Sequence, residues 1–153
     1  MKEGTLAPDF VLPDQDGNAV SLKTLRGGDV VVYFYPKDDT PGCTKEACGF
    51  RDLWQRYDQL GIRVLGISPD SPESHVKFAR KYALPFPLLS DADKTVMSAY
   101  RAWGKKSMYG RQTVGVIRST VWIGPDGKVR KHWARVSKAG DHAARVFDVI
   151  RAG

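Results

Sequence analysis

The stretch YFYPKDDTPGCTKEACGF, residues 33–50, contains both cysteines of the chain, Cys43 and Cys48. Its first residues end the β-branched and aromatic run VVVYFY at 30–35, which is typical of a buried strand. A turn rich in proline and glycine follows, and residues 43–60 then place apolar side chains at helical spacing. The stretch therefore predicts a strand, a turn and a helix, with Cys43 where the helix begins.

The position of Cys43 favours a reactive thiol. A helix N-terminus presents unpaired N–H groups and partial positive charge, and both stabilise the thiolate, which is the nucleophilic form. The alternative is a small, buried, inert cysteine. Cys48 lies five residues further on, which in an unbroken α-helix separates the Cα atoms by about 8.7 Å. A disulfide needs less than about 7 Å, so a Cys43–Cys48 bond requires the helix to unwind, and Gly49 weakens that helix by about 1 kcal/mol relative to alanine.

The rest of the chain alternates predicted strands and helices. We predict strands at 62–68 and 86–91, helices at 71–84, 94–100 and 141–152, two strands in 114–133 around the turn 125–127, and a small hairpin around 14–20. Ser71 is the expected N-cap of the second helix, with Pro72 at its first position. Ala144, Val146, Phe147 and Ile150 are the expected packing residues of the last helix. The order predicts an α/β fold, a mixed central β-sheet flanked by helices with an N-terminal β extension.

Length and composition narrow the class of protein. The 153 residues fit a single domain spanning 1–153, and two cysteines are too few for a disulfide scaffold. The N-terminus has no apolar segment of signal-peptide length, and no apolar run is long enough to span a membrane, so we expect a cytoplasmic protein. The net charge of +7 is spread along the chain, and the basic stretch at 130–138 lies in no nucleic-acid motif. We expect a solvated basic surface and no nucleic-acid partner.

Neither a metal nor an organic cofactor is expected. The three histidines, His75, His132 and His142, are far apart in sequence and form no motif with ligand spacing, so each is expected to be a polar surface residue. The sequence contains no glycine-rich phosphate loop and no haem or flavin motif. Redox chemistry would therefore fall to the cysteines.

The segment PKDDTPGCTKEACGFRD resembles the active-site signature of peroxiredoxins, in particular of the bacterioferritin comigratory protein group. The family pattern Pro-x-x-x-Thr/Ser-x-x-Cys is matched by Pro36, Thr40 and Cys43. The family also has an arginine on a later strand, and GVIRSTVWI supplies it as Arg118. The segments APDFVLPDQDGNAVSL, GISPDSPESHVKFARKY and WGKKSMYG are similar to the family as well, so the likeness runs nearly end to end.

The resemblance implies a thioredoxin-like fold and an antioxidant enzyme that reduces hydrogen peroxide and organic hydroperoxides. Cys43 would be the peroxidatic thiolate that becomes a sulfenic acid. Thr40 would orient the peroxide, Arg118 would stabilise the charges, and Pro36 would shield the thiolate from water. Cys48 would resolve the sulfenic acid as an intramolecular disulfide, which thioredoxin or a similar dithiol would reduce. Since an internal resolving cysteine needs no partner subunit, we expect a monomer.

Two other functions compete with this interpretation. A thiol-disulfide oxidoreductase on the same fold is disfavoured because the cysteines are not spaced as CxxC. A basic binding or chaperone-like module, with cysteines that only sense oxidants, would not consume peroxide with turnover.

Overall fold

The computed structural model describes the backbone of residues 1–153 and every side chain except that of Met108. Its strands are β1 Val11–Pro13, β2 Ala19–Ser21, β3 Val30–Phe34, β4 Arg63–Ser68, β5 Leu88–Ser90, β6 Trp103–Met108, β7 Arg111–Val116, β8 Ser119–Ile123 and β9 Val129–Trp133. Its α-helices are α1 Pro41–Asp52, α2 Trp54–Gln59, α3 Pro72–Tyr82, α4 Thr95–Ala99 and α5 Ala139–Ala152. A short 3-10 helix covers Leu22–Leu25.

The central sheet is mixed, as predicted, with the strand order β5-β4-β3-β8-β9. The pairs β3–β4 and β4–β5 are parallel, whereas β3–β8 and β8–β9 are antiparallel. Every residue of β3 is buried, because helices and loops cover both faces of the sheet at its centre. The active-site turn leaves the carboxyl end of this central strand.

Two apolar clusters lie on the two faces of the sheet. Successive side chains of β3 point into different clusters, because they project from opposite faces of the sheet: Val32 belongs to one cluster, and Tyr33 belongs to the other. Helix α4 packs on the first face through Met97, whereas α1, α3 and α5 supply Phe50, Phe78 and Phe147 to the second. Cys43 lies in this second cluster, so its sulfur lies in an apolar layer.

The predicted N-terminal β extension is confirmed. Strands β1 and β2 pair antiparallel, with Val11 opposite Ser21. The Asp14 carboxylate accepts hydrogen bonds from the N–H groups of Asp16 and Asn18, both at 2.9 Å. The predicted Ser71 cap of α3 is also present, since its side chain accepts from the Ser74 N–H at 3.2 Å.

The predicted helix at 43–60 is divided in two. It breaks at Leu53, whose φ of −100° and ψ of 7° end α1 and begin α2. Beyond the break Tyr57 is fully buried, and its hydroxyl donates to the Ala143 carbonyl of α5 at 2.6 Å. The prediction of one continuous helix is therefore wrong, and the segment beyond the break is attached to α5 by this buried tyrosine.

A hairpin formed by β6 and β7 was not predicted. Its turn residues Tyr109 and Gly110 both have positive φ, 52° and 77°, which is the type I′ geometry of tight hairpins. The single strand expected through Arg118 is accordingly divided, because Val116 ends β7 and Ser119 begins β8. In the last helix, Ala144 is exposed and Ala143 is buried instead, so that predicted packing residue is wrong by one position.

Among the helices described, none is both long enough and apolar enough to cross a membrane.

Candidate active site

Cys43 lies in the first turn of α1 and is 1% exposed. Thr40 is the N-cap residue, and Pro41 occupies the first helical position, where its missing N–H is not needed. The first-turn N–H groups, including that of Cys43, have no carbonyl partner within the helix. The helix begins at Pro41, two residues before its predicted start at Cys43, and the sulfur still lies in the first turn beside partial positive charge.

Arg118 meets Cys43 across the fold. Its Nη2 atom donates to the Cys43 Sγ at 3.2 Å, although the two residues are 75 positions apart. The prediction that this arginine belongs to a strand is wrong: Arg118 lies in the link between β7 and β8. The link is held on both sides, since the Ile117 N–H donates to the Ala102 carbonyl at 2.7 Å and the Val136 N–H donates to the Arg118 carbonyl at 2.9 Å.

Gly42 permits the close approach of this guanidinium to the helix. A Cβ atom at Gly42 would lie 3.1 Å from Arg118 Nη2, so the guanidinium would have to shift by a few tenths of an ångström to accommodate a larger residue. The Arg118 side chain is 17% exposed, so it is largely buried beside Cys43 and Glu46.

A buried glutamate, Glu46, binds the other terminal nitrogen of Arg118 and was not predicted from the sequence. Glu46 Oε1 accepts from Arg118 Nη1 at 2.8 Å, and Glu46 Oε2 has no partner among the described atoms. Burial raises the pKa of Glu46 to about 7, against the opposing effect of Arg118. Burial lowers the pKa of Arg118, but the charges of Glu46 and Cys43 outweigh it, so the net pKa is raised. The sequence did contain a signal for Glu46: it stands three residues after Cys43, and residues three apart share a helix face.

Thr40 and Pro36 flank the pair without bonding to Cys43 among the described side chains. The Thr40 hydroxyl donates to the Lys37 carbonyl at 2.8 Å, so its oxygen keeps lone pairs that can accept a further hydrogen bond. Pro36 and Arg118 line a surface cleft of about 310 Å³. The other residues of this cleft are Lys106, Ser107, Val116, Ile117, Arg135 and Val136. Hairpin β6–β7 therefore forms one wall beside the arginine.

Cys48 lies on the same unbroken helix as Cys43. It is half-buried, and both cysteines are free thiols. The i+5 spacing along an intact helix separates their Cα atoms by about 8.7 Å, beyond the reach of a disulfide. Helix α1 must unwind before the two sulfurs can bond.

The expectation that the histidines are surface residues is wrong for His75 and His142, because both are buried. His142 Nε2 lies 2.7 Å from the Thr120 hydroxyl. Burial, reinforced by the positive charges of Arg118 and Arg145, lowers the pKa of His142 to about 4. Its ring is therefore neutral at physiological pH and packs as part of the core.

His75 belongs to a buried polar cluster beside the active-site turn. Ligand-type atoms of Asp38, Asp70 and His75 lie within 4.8 Å of one another, a spacing that could accommodate a metal ion. Each of these atoms already has a hydrogen-bond partner from the protein: Tyr35 and Ser74 donate to Asp38, Ser68 donates to Asp70, and His75 Nδ1 lies 2.7 Å from Asp38 Oδ2. The ligand-type atoms of this cluster are thus already hydrogen-bonded within the protein.

Comparison with known proteins agrees with this geometry. Residues 4–132 match the model of the AhpC/TSA family. A putative peroxiredoxin bcp of Coxiella burnetii is 48% identical over 143 residues, which cover 94% of each chain. Peroxiredoxin Bcp of Bacillus subtilis is 41% identical over 148 residues, covering 97% of this chain and 94% of that protein.

Solved structures give the same result. A mutant of Xylella fastidiosa PrxQ superposes with a TM-score of 0.92 at 33% identity, covering 99% of this chain and 96% of the other. A structure of Xanthomonas campestris bacterioferritin comigratory protein, determined to explain its alkyl peroxide reduction activity, gives a TM-score of 0.87 at 38% identity, covering 94% and 90%.

The chain belongs to the AhpC/TSA family and has its thioredoxin-like fold. Within that family it is a peroxiredoxin of the Bcp/PrxQ group, which confirms the resemblance found in the sequence. It is accordingly an oxidoreductase, a thiol peroxidase whose activity requires a peroxide substrate and a reductant.

Proposed function

We propose that Cys43 is the peroxidatic cysteine of this enzyme. The observation that supports this most directly is the Arg118 guanidinium, 3.2 Å from a Cys43 sulfur that is buried in the first turn of a helix. A fixed positive charge and the helix N-terminus both favour the thiolate. The other cysteine, Cys48, is only half-buried and accepts no hydrogen bond from a cationic side chain among the described residues.

In the first step the Cys43 thiolate attacks the terminal oxygen of a hydroperoxide. The S–O bond forms as the O–O bond breaks, the cysteine is oxidised to sulfenic acid, and the departing alkoxide or hydroxide takes a proton to leave as alcohol or water. Negative charge moves from sulfur to the departing oxygen. Arg118 can donate to both positions, because its five N–H groups radiate in a fixed plane.

Thr40 and Pro36 serve the same step in different ways. Because the Thr40 hydroxyl donates to Lys37, its oxygen can accept the O–H of the bound peroxide and fix its direction. Pro36 lines the cleft next to Arg118 and has no N–H to compete with the substrate. The apolar part of that cleft suits an alkyl group, so both hydrogen peroxide and organic hydroperoxides are proposed substrates.

Cys48 is the resolving cysteine in this proposal. Its thiolate attacks the sulfenic sulfur of Cys43, an S–S bond forms, and the S–O oxygen leaves with a proton as water. The step requires α1 to unwind. Thioredoxin or a similar dithiol then reduces the disulfide and restores both thiols. This cycle runs within one chain, so we propose a monomeric, cytoplasmic enzyme whose residues 1–153 act as one domain.

The test is peroxide consumption by single-site variants in the presence of thioredoxin, thioredoxin reductase and NADPH. Cys43→Ser should abolish turnover. Cys48→Ser should still reduce one equivalent of peroxide and then stop. Arg118→Ala should lower the rate of Cys43 oxidation by about 10²–10³-fold, the usual effect of removing a donor to a developing anion.

The matched control is Arg111→Ala, an exposed arginine on β7, which should react like wild type. Full turnover by Cys43→Ser, or equal rates for the two arginine variants, would contradict the proposal. A binding module with sensor cysteines would show no turnover in any variant.

A further inference from the structure

The loop that carries Thr40 is anchored by a buried carboxylate, Asp38. Tyr35 donates its hydroxyl to Asp38 Oδ1 at 2.6 Å, and Ser74 donates its hydroxyl to Oδ2 at 2.7 Å. His75 Nδ1 lies 2.7 Å from the same Oδ2. The side chains of His75 and Asp38 are 0% and 4% exposed. The Asp38 carboxyl group therefore has three polar partners and almost no contact with water, and two of them, the hydroxyl groups of Tyr35 and Ser74, donate to it.

The second ring nitrogen of His75 also faces an acceptor. Nε2 lies 3.1 Å from the Leu89 carbonyl of β5, and a carbonyl oxygen can only accept. If Asp38 is ionised, both ring nitrogens must donate, and the ring is an imidazolium. A neutral pair would require the proton to sit on Asp38, where the hydroxyl groups of Tyr35 and Ser74 already donate and would compete with it for the carboxyl oxygens.

This ion pair sits between α3 and the active-site turn. The main chain of Asp38 is held too, because its N–H donates to Asp70 Oδ2 at 2.8 Å. The next residue, Asp39, accepts from Lys81 and from Tyr82 at the other end of α3, at 2.7 and 2.8 Å. The loop is thus fastened to α3 just before Thr40, the N-cap of the helix that carries Cys43.

We propose that His75 is a doubly protonated imidazolium whose ion pair with Asp38 positions the loop 36–40 for the reaction of Cys43 with peroxide. His75 is a positioning residue: it acts through Asp38 on Thr40 and does not contact the reacting sulfur. The Arg118–Cys43 contact does not involve this loop, so the ion pair governs where the peroxide sits and leaves the nucleophilicity of the sulfur to Arg118 and the helix. The inference rests on the proposed role of Cys43.

The charge state is tested on the native protein by NMR with ¹⁵N-labelled histidine at pH 7.5. The chain has three histidines, so His132→Gln and His142→Gln suffice to assign the signals. Both ring nitrogens of His75 should carry a proton, in contrast to the neutral ring of His142. A lone pair on either nitrogen of His75 would overturn the proposal.

The positioning role is tested by comparing two reactions of Cys43 in His75→Asn. The asparagine can still donate to Asp38 but carries no charge. The rate constant for oxidation by hydrogen peroxide should fall about 10- to 100-fold, as expected when a positioned group moves by about 1 Å. Alkylation of Cys43 by iodoacetamide at the same pH should change less than twofold.

Asp38→Asn should likewise slow oxidation by peroxide while leaving alkylation by iodoacetamide nearly unchanged. The double variant should be little slower than either single variant, because the two residues act as a unit. The single variant Asp38→Asn also serves as the second test if His75→Asn does not fold. Met97→Ala is the control for lost stability, since Met97 is buried in the cluster on the opposite face of the sheet. It should leave both reactions near the wild-type rates.

Equal loss of peroxide and iodoacetamide reactivity, additive effects of the two substitutions, or wild-type peroxide rates in His75→Asn would overturn the positioning role. If wild-type Cys43 itself failed to react with peroxide, the proposed function would fail, and the NMR measurement would still decide the charge state of His75.

Discussion

Replacing Gly49 by alanine should slow the formation of the Cys43–Cys48 disulfide without affecting the reaction with peroxide. Gly49 lies on α1 where the helix packs on α5. A Cβ atom there would lie 3.4 Å from the Ala143 Cβ and 3.5 Å from the Gly140 carbonyl, so the methyl group fits at contact distance. Since Gly49 does not need positive φ, the substitution acts mainly by stabilising the helix.

The size of the effect follows from helix propensity. Alanine stabilises a helix interior by about 1 kcal/mol relative to glycine. Opening the turns between the cysteines removes the intrahelical acceptor of residue 49, the Lys45 carbonyl, so residue 49 frays with them. If resolution proceeds through this local opening, its rate falls with the population of the opened state. The resolution rate should therefore fall by at most about fivefold, because about 1 kcal/mol acts on the opened state and 1.36 kcal/mol corresponds to a factor of ten.

The assay is a single-turnover experiment. Reduced protein is mixed with one equivalent of hydrogen peroxide, and quenched samples are analysed by mass spectrometry for sulfenic acid, trapped with dimedone, and for the disulfide. The matched variant, which should change the resolution rate in the opposite direction, is Lys45→Gly. Lys45 is exposed and lies between the two cysteines. It weakens the same helix by about 0.7 kcal/mol and should speed resolution about threefold.

Unchanged resolution rates in both variants, with helix stability shifted as expected in urea unfolding, would refute the unwinding argument. The sulfurs would then meet by a route that leaves α1 folded. A slower peroxide step in Gly49→Ala would show instead that the methyl group disturbs Cys43 itself.

Three further predictions concern the surroundings of Cys43. Arg118→Lys keeps the charge but loses the planar set of donors, so stopped-flow oxidation of Cys43 should slow at least tenfold. Because burial raises the pKa of Glu46 from 4.5 to about 7, the folded protein retains a proton that the unfolded chain loses. Wild type should therefore lose stability relative to Glu46→Gln as the pH rises from 4.5 through 7, and parallel slopes in urea unfolding would contradict this. Burial lowers the pKa of His142 from 6.5 to about 4, so wild type should lose stability relative to His142→Gln as the pH falls through that interval, measured in the same way.

The sequence predicts the local half of the active site well. The strand, turn and helix around Cys43 follow from a continuous apolar run, a proline and glycine turn and helical spacing, all within 30–60. Its contact with Arg118 depends on a resemblance, since nothing local joins residues 75 positions apart. Glu46 could have been predicted from its place one turn after Cys43, because a buried arginine needs an anion.

Other parts of the fold depend on contacts that the sequence does not encode locally. The Asp38–His75 pair joins residues 37 positions apart, so nothing local predicts the contact, although His75 stands three and seven residues before Phe78 and Tyr82 on the buried face of α3. The break at Leu53 lies at neither a proline nor a glycine, and the segment beyond it packs on α5 through Tyr57. Hairpin β6–β7 has few apolar residues in alternation, and its tight turn uses Tyr109 where asparagine or glycine is usual.

The most direct test of the central claim is the intact mass and peptide map of the reduced protein after one equivalent of hydrogen peroxide. We expect a loss of two hydrogens, mapped to a bond between Cys43 and Cys48. A stable oxygen adduct on Cys43 with Cys48 still free would contradict the two-cysteine cycle. Unreacted thiols after several minutes would contradict the assignment of Cys43 as the peroxidatic cysteine.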